Sequence, residues 1–170
     1  YALAGRRPIF LVRYQGFMNI NHVFISNFAA KSKGMWGKPC PVFCRVTGTD
    51  GSGGPTIGPV ASSCHHGIVM RMPGIKIVAP ATPKEFRDVW SSFMSQDDPF
   101  YCSEHRRTYG IEEDMPNVIK READITLLPI SATRLDVLKA VKMLEAVGIV
   151  CNVIHIVWIK PFVVSEEIIS

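Results

Sequence analysis

Residues 72–104 read MPGIKIVAPATPKEFRDVWSSFMSQDDPFYCSE, a pattern that predicts a strand, a helix and a second strand. Short apolar runs of strand length begin at Lys76 and at Phe100, and a segment of helical character separates them. A β-α-β unit of this kind aligns its two strands in parallel and lays the helix on a face of the sheet. Because ligands bind beyond the carboxyl ends of the strands in open parallel sheets, we expect functional residues in the loops after each strand.

The predicted helix of this unit carries its own start and stop signals. Thr82 is the predicted N-cap, Pro83 occupies the first helical position, and Glu85 completes a capping box. Apolar residues then recur at helical spacing and predict one buried stripe, formed by Phe86, Val89, Trp90, Phe93 and Met94. The sequence Gln96-Asp97-Asp98-Pro99 is predicted to end the helix.

The residues before this unit predict two more strands and a helix. Pro8–Val12 (PIFLV) is apolar throughout, as expected for a strand buried on both faces, and Pro41–Val46 is a second strand. Gly34 is predicted to end the intervening helix as its C′ residue. The residues of that helix at helical spacing are Ile20, Val23, Phe24, Asn27 and Phe28. The fold class that follows is α/β, a parallel sheet flanked by helices.

A long glycine-rich segment, Thr47–Pro59, follows the second of these strands. It contains five Gly and two Pro in TGTDGSGGPTIGP, a composition that excludes regular secondary structure. Long loops of this kind in compact domains are usually functional or mobile. Its GSGG sequence lacks the GxGxxG spacing of a dinucleotide site and is a weak motif.

The charged segment that begins near His105 has no sustained period and predicts a domain boundary. We expect a first domain over 1–110, a linker over 111–122, and the start of a second α/β domain over 123–170. Two strands are predicted in this last part, Ile125–Ile130 and Val150–Ile159. Gly148 is predicted to end the helix between them.

The amino-acid composition limits the classes of function expected for this chain. The 170 residues are 47% hydrophobic, which is ample for a core, and no apolar run has the length of a membrane span. The net charge of +4 is scattered rather than gathered into a patch, so neither nucleic acid nor membrane is expected as a partner. Because the first residue is not Met, we expect the chain to be a piece of a longer protein.

The five cysteines predict a reducing, intracellular compartment, either cytoplasm or organelle matrix. Their number is odd, no CxxC occurs, and three of them lie in predicted strands, namely Cys44, Cys102 and Cys151. No metal ligand set is expected, because no Cys or His pair has ligand spacing supported by a second pair. Cys64 and His65 could be combined into a Cys-His nucleophile, but such a pairing is weakly supported by sequence alone.

Several segments in a specific order resemble the pyrimidine-binding domain of thiamine-diphosphate enzymes of the transketolase group. They are GRRPIFLVRYQGFMN, NFAAKSKG, PVFCRVTGTDGSGGPT, MPGIKIVAPATPKEFRDVW and DDPFY. The beta subunit of the decarboxylating component of 2-oxo acid dehydrogenases is the nearest type. The tail from Ala123 to Phe162 resembles the start of that group's carboxy-terminal domain.

The resemblance implies thiamine diphosphate with Mg²⁺ as the cofactor. An aromatic residue after the first strand stacks on the aminopyrimidine ring in this family, and that position falls on Phe17. Tyr14, on the same loop, is a weaker candidate for lining the slot. The family's GDG…N motif for the diphosphate and metal is absent here, which implies a diphosphate-binding partner subunit or domain in a homo- or hetero-oligomer.

Two features depart from the family pattern. The Glu that activates the cofactor is expected before Tyr1, outside this chain, so the isolated chain is expected to be inactive. The family's loop His is replaced by Ala61-Ser62-Ser63 in one alignment and by Ile57 in the other. His65 and His66 follow a few residues later and are weak catalytic candidates, although they equally fit the start of the next helix.

The resemblance therefore implies the pyrimidine-binding part of an enzyme, most readily a 2-oxo acid dehydrogenase beta-type subunit. A transketolase or a ketol transferase like deoxyxylulose-phosphate synthase is an alternative. A non-catalytic scaffold or regulatory subunit derived from the family is another, because the loop His is missing.

Overall fold

The structure of the chain, a computed structural model, describes residues 1–50, 58, 61–163 and 166. In these residues the strands are β1 Ile9–Val12, β2 Phe43–Gly48, β3 Lys76–Val78, β4 Phe100–His105, β5 Ile125–Leu127, β6 Cys151–Val153 and β7 Trp158–Lys160. The main sheet has the order β1-β2-β4-β3-β7, and β5 and β6 form a separate parallel pair. Strands β1 to β4 are all parallel, whereas β7 joins β3 antiparallel. The predicted α/β class with a parallel sheet is confirmed.

The helices lie between and beside these strands. The α-helices are α1 Ser32–Trp36, α2 His66–Met70, α3 Pro83–Ser95 and α4 Thr133–Glu145. Short 3₁₀ helices span Ala2–Ala4, Gln15–Asn21 and Arg106–Thr108, and a π-helix spans Phe24–Ala29. Within the described ranges, none of the helices combines the length and the apolar content that crossing a bilayer requires.

The strands alternate between two cores, one on each face of the main sheet. On one face Phe43, Phe100 and Cys102 pack against Val89 and Phe93 of α3. The other face carries a larger cluster that includes Cys44, Val46, Ile77 and Tyr101, together with Val69 of α2. Polar side chains follow the same alternation toward the carboxyl ends of the strands, so each face presents its own set of polar groups there.

The start of α3 has the predicted capping box. The Thr82 Oγ1 atom accepts a hydrogen bond from the Glu85 backbone N–H at 3.3 Å, and the Glu85 carboxylate accepts one from the Thr82 N–H at 3.2 Å. The carboxylate also binds both terminal nitrogens of Arg134 in α4, at 2.6 and 2.7 Å. Arg134 is fully buried. One carboxylate therefore caps α3 and ties it to the second β-α-β unit.

Gly74 explains why a Pro-Gly pair precedes β3. Its φ is +75°, a left-handed conformation that suits glycine, and a Cβ built there would lie 2.0 Å from the carbonyl oxygen of Ala30. Two backbone segments thus meet at a distance that excludes any side chain.

Several sequence-based expectations are wrong in detail. The stripe of α3 is narrower than predicted, because Trp90 and Met94 remain exposed while Val89 and Phe93 are buried. The segment predicted as one strand from Val150 to Ile159 is divided between β6 and β7, which belong to different sheets.

The expectation that Pro8–Val12 is buried on both faces is wrong. Strand β1 is an edge strand, and Ile9, Phe10 and Leu11 are exposed while Val12 is buried. A row of apolar side chains predicts burial, but it does not show whether another segment of this chain packs against them.

The prediction of a single helix after β1 is also wrong. The segment is divided into a 3₁₀ helix, a π-helix and α1, and its buried side chains include Met18 and Ile25. Of the predicted stripe, Ile20, Val23, Phe24 and Phe28 are exposed. Gly34 lies inside α1, which instead ends at Trp36 and is followed by Gly37 with a φ of 63°.

The domain boundaries predicted at residues 110 and 122 stay predictions. Strand β7, from the predicted second domain, extends the main sheet by pairing with β3. The predicted strand from Ile125 appears as β5, and the predicted helix appears as α4, with Gly148 in a left-handed conformation just beyond it.

We predict that Arg134→Met lowers the free energy of unfolding by about 3 kcal/mol, because it leaves the Glu85 carboxylate partly buried without its cation. Urea denaturation at pH 7 measures the change. Lys84→Met is the matched control, since the Lys84–Asp88 pair is exposed and its loss should change little. An equal loss in both variants would contradict the prediction.

The same ion pair predicts a pH dependence. Burial raises the pKa of Glu85, but hydrogen bonds from Arg134 and from the backbone of Ala81 outweigh burial and bring the pKa below its ordinary value. The ion pair therefore stabilises the fold above the unfolded-state pKa of Glu, and this contribution is lost as the pH falls through the lower folded-state pKa. The stability difference between wild type and Glu85→Gln should shrink as the pH is lowered through that range in urea titrations.

Gly74→Ala should lower the free energy of unfolding by about 2 kcal/mol or more, because the added Cβ collides with the Ala30 carbonyl. The control is Gly67→Ala in α2, where a Cβ meets nothing within 4 Å. Thermal denaturation of both variants compares them, and a Gly74→Ala protein as stable as Gly67→Ala would contradict the close approach.

Candidate functional site at the carboxyl ends of the strands

The carboxyl ends of β1, β2 and β4 lie side by side, because the three strands are parallel and in register. Val46 of β2 pairs with Val12 of β1 on one side and with Ser103 of β4 on the other. The segments that follow are Arg13–Phe17, Thr49–Asp50 and Arg106–Tyr109. This edge is where a parallel α/β sheet binds its ligands.

The two aromatic residues predicted to bind the cofactor lie together after β1. The ring centroids of Tyr14 and Phe17 are 6.0 Å apart in an edge-to-face arrangement. Phe17 is 44% exposed, whereas Tyr14 is 5% exposed. Arg106, from the segment after β4, lies over the Tyr14 ring at 5.0 Å and donates a hydrogen bond to its hydroxyl at 3.1 Å. Tyr14 therefore supports the loop, and Phe17 presents a ring to solvent.

Gln15, between these two residues, is the centre of a buried polar network. Its side-chain oxygen accepts a hydrogen bond from the His65 backbone N–H at 2.7 Å and one from the Tyr101 hydroxyl at 3.3 Å. Its side-chain nitrogen donates to the Ser103 hydroxyl at 2.8 Å. Gln15 and Ser103 are completely buried. The network fixes the loop after β1 against β4 and against the segment that leads into α2.

Gly48 allows this close packing at the end of β2. A Cβ at this position would lie 3.3 Å from the side-chain nitrogen of Gln15 and 3.2 Å from the ring of His105. A larger residue would push the Gln15 amide away from Ser103.

The two histidine candidates, His65 and His66, lie at the start of α2. This agrees with the alternative expectation that they begin the next helix. His65 is the N-cap residue and His66 the first helical residue. The His65 ring bonds the Ser63 hydroxyl through Nε2 at 2.8 Å, whereas Nδ1 of His66 lies 2.9 Å from the Cys64 sulfur. The cysteine is therefore paired with His66 and not with His65, the partner considered in the Cys-His pairing above.

An open cleft of about 450 Å³ runs along this edge of the sheet. Cys64 and His66 line it together with His105, and Leu128 and Ile130–Thr133 of the second β-α-β unit form another part of its wall. Arg107, also in the cleft, binds the carboxylates of Asp50 and Asp136. Burial lowers the pKa of His105 despite the nearby Asp50, so its ring is neutral around pH 7.

A second polar group sits on the opposite face of the same strands. The Glu104 carboxylate is buried and binds Arg45 of β2 at 2.5 and 2.8 Å, and it accepts a hydrogen bond from Tyr109 at 3.0 Å. The hydrogen bond to Glu104 raises the pKa of Arg45 despite its partial burial. This arrangement anchors the segment after β4.

Sequence reasoning missed the most connected residues of this edge. Gln15, Ser103 and Glu104 carry no motif, and each lies in or near an apolar run. The signal that was available is their position at predicted strand ends. Ile57 and most of the glycine-rich segment lie outside the described residues.

The fold and the site define an α/β protein with a parallel sheet whose polar side chains converge at the carboxyl ends of its strands. Residues 1–112 match the family model of the transketolase pyrimidine-binding domain. The chain belongs to this family.

Curated relatives are similar along nearly the whole chain. The pyruvate dehydrogenase E1 component subunit beta of Staphylococcus epidermidis is 27% identical over 183 residues, covering 99% of this chain and 55% of the relative. The Bacillus subtilis subunit of the same name is 26% identical, with the same coverage of 99% and 55%. The acetoin:2,6-dichlorophenolindophenol oxidoreductase subunit beta of Cupriavidus necator is 23% identical and covers 94% of this chain and 50% of the relative. The chain spans about half the length of these relatives.

Solved structures share the fold. Transketolase from Pichia stipitis in complex with sedoheptulose-7-phosphate has a TM-score of 0.76 at 18% identity, over 94% of this chain and 24% of that chain. A split gene transketolase, described as an inactive beta4 tetramer, has a TM-score of 0.70 at 19% identity, over 94% of this chain and 52% of that chain. At these identities the likeness establishes the fold.

We predict that Gln15→Met lowers the free energy of unfolding by about 2 kcal/mol or more. The substitution keeps the volume, but Ser103 loses the hydrogen bond from Gln15, and the Tyr101 hydroxyl and the His65 N–H lose their acceptor. Urea denaturation measures the loss, and hydrogen exchange should show faster exchange at the His65 amide. Gln96→Met is the control, because the Gln96 side chain bonds only within its own helix end, to Ser92. A Gln15→Met protein with unchanged His65 protection would contradict the network.

Proposed function

We propose that this chain is the pyrimidine-binding part of a thiamine-diphosphate enzyme, of the 2-oxo acid dehydrogenase beta type. The observation that carries the proposal is the 27% identity over 99% of the chain to a pyruvate dehydrogenase E1 beta subunit, combined with the family match over residues 1–112. The location of the polar network at the carboxyl ends of the strands supports it, because the ligand of such a sheet binds there.

Phe17 is the residue we propose for contact with the cofactor. A flat heterocycle binds well against an aromatic face that is held in place and open to solvent. Phe17 has both properties, since its ring is 44% exposed and packs edge-on against the buried Tyr14. The residues present therefore fit an aminopyrimidine ring. When bound, thiamine diphosphate supplies the carbanion chemistry that a protein side chain cannot.

The site also requires a second polypeptide or domain. We propose that a partner holds the diphosphate and Mg²⁺, in a hetero-oligomer with a subunit of the alpha type. The exposed apolar residues of β1 and of the segment after it, among them Leu11, Ile20 and Phe24, are consistent with association. The substrate class proposed for the assembled enzyme is a 2-oxo acid.

His66 is the better placed of the two histidines for a role in proton transfer. It lines the cleft, whereas the ring of His65 bonds Ser63. The family's loop His would be the usual group for this task, and the dehydrogenase-type alignment puts its place at Ala61, which is buried. We propose His66 as a replacement for the loop His.

A second candidate function is a non-catalytic subunit that keeps the fold and the interface. The substitution of Ala61 for the loop His favours it. A ketol transferase is a third, supported by the transketolase fold alone. We distinguish them by calorimetry with thiamine diphosphate and magnesium, with and without an alpha-type partner, followed by assays with a 2-oxo acid and with a ketose phosphate.

We predict that Phe17→Ala weakens binding of thiamine diphosphate to the assembled enzyme about tenfold, the value of one aromatic stacking contact. Isothermal titration calorimetry measures the affinity. Phe17→Tyr should retain the affinity because it keeps the ring, and Phe28→Ala removes a comparably exposed ring that is packed against Trp36 elsewhere. Unchanged affinity in Phe17→Ala would count against this position of the pyrimidine.

A further inference from the structure

We propose that Cys64 and His66 form a thiolate–imidazolium pair, a nucleophilic modification site that takes small uncharged carbon electrophiles. This inference goes beyond the proposed function, because it requires neither cofactor nor partner. It begins from a difference among the five cysteines. Cys40, Cys44, Cys102 and Cys151 are buried, whereas Cys64 is exposed and lines the cleft.

Two polar groups contact the Cys64 sulfur. Nδ1 of His66 lies 2.9 Å from Sγ, and the hydroxyl oxygen of Ser103 lies 3.7 Å from it. The same hydroxyl is 3.4 Å from Nδ1 of His66. A ring nitrogen and a hydroxyl thus converge on one sulfur, and both can donate a hydrogen bond to it.

The direction of the Ser103 proton follows from the buried network. The Gln15 side-chain oxygen accepts from the His65 backbone N–H, which can only donate, so the Gln15 nitrogen must face Ser103. Ser103 therefore accepts a hydrogen bond from Gln15, and its own single O–H is left to point toward Cys64 and His66. Since Gln15 and Ser103 are completely buried, this orientation is built into the fold rather than into a surface contact.

The titration of the thiol agrees with this geometry. Burial raises the pKa of Cys64, but the hydrogen bond and the charge of His66, together with Ser103, outweigh burial and bring the pKa below its ordinary value. The neighbouring Tyr101 is neutral around pH 7, because burial raises its pKa. His105 across the cleft is neutral as well, since burial lowers its pKa. Of these neighbours, His66 is the one whose hydrogen bond and charge lower the pKa of the thiol.

The charges of the cleft select the electrophile. Among the acidic and guanidinium side chains that line the cleft, two carboxylates, those of Asp50 and Asp136, bind one guanidinium, that of Arg107. An anionic reagent is repelled there, whereas an uncharged one is not. The reaction is a displacement: the Cys64 sulfur forms a bond to carbon, the leaving group departs with its electron pair, and the thiol proton held on His66 is released to solvent.

The test uses the intact chain and iodoacetamide, with mass spectrometry resolving each cysteine. At pH 7, Cys64 should react at least about threefold faster than the same cysteine in the urea-unfolded chain, because the thiolate fraction is higher although each thiolate is less nucleophilic. The pH at half-maximal rate should lie lower in the folded chain. Equal half-maximal pH values in the folded and unfolded chains would overturn the pair.

The two adjacent histidines provide a matched control. His66→Gln replaces the imidazole with a neutral side chain of similar size and should slow Cys64 alkylation about tenfold at pH 7, the effect of losing one charge-assisted hydrogen bond. His65→Gln removes a ring that bonds Ser63 but keeps the backbone N–H of residue 65, which donates to Gln15. The rate of Cys64 alkylation should therefore be retained. Ser103→Ala should cause a smaller loss. A His65→Gln rate reduced as much as that of His66→Gln would overturn the proposal.

The preference of Cys64 for an uncharged electrophile is tested by a separate measurement. Iodoacetamide is uncharged and iodoacetate is an anion, so the ratio of their alkylation rates measures repulsion of the anion. At Cys64 this ratio should be about three times the ratio measured for free cysteine. Asp136→Asn should lower that ratio. A ratio equal to that of free cysteine would overturn the assignment of an uncharged electrophile. Thermal melting of each variant verifies that it is folded before its rate is compared.

Discussion

The parallel pairing of β1, β2 and β4 is the constraint on which this site depends. Parallel strands in register end at one edge, so residues far apart in sequence are brought together without any local signal. Gln15 after β1 meets Ser103 near the end of β4 in this way, at 2.8 Å. Because side chains alternate between faces, the same strand ends carry the Arg45–Glu104 pair on one face and the Gln15 network on the other.

Stability and site geometry are linked through buried polar groups. Glu85 caps α3 and also holds Arg134, so the loop before α4 is placed where it lines the cleft. Gly74 performs a comparable task with backbone alone, since its contact with the Ala30 carbonyl fixes the entry into β3. Both devices lie outside the cleft, and each fixes a contact between distant segments, one through a buried ion pair and the other through a close backbone approach.

Local chemistry made some parts of this structure predictable and others not. The capping box at Thr82 and Glu85 was recognised because all of its contacts lie within four residues. The burial of β1 and of the segment around Phe24 was predicted wrongly, because hydrophobicity shows that burial is favourable but does not show that a covering surface is present. Phe17 was identified only through family resemblance, and its binding role stays a prediction, whereas its exposure and its contact with Tyr14 are structural observations.

The sequence by itself determined the α/β class, the helix start at Pro83 and the family, because periodicity, capping and motif order are properties of neighbouring residues. Only the tertiary structure decided that Cys64 lies against His66 and that the Gln15 amide contacts Ser103. The physical reason is that a hydrogen bond depends on distance and direction between atoms, and these were set by the packing of the segments that hold residues 15, 64 and 103.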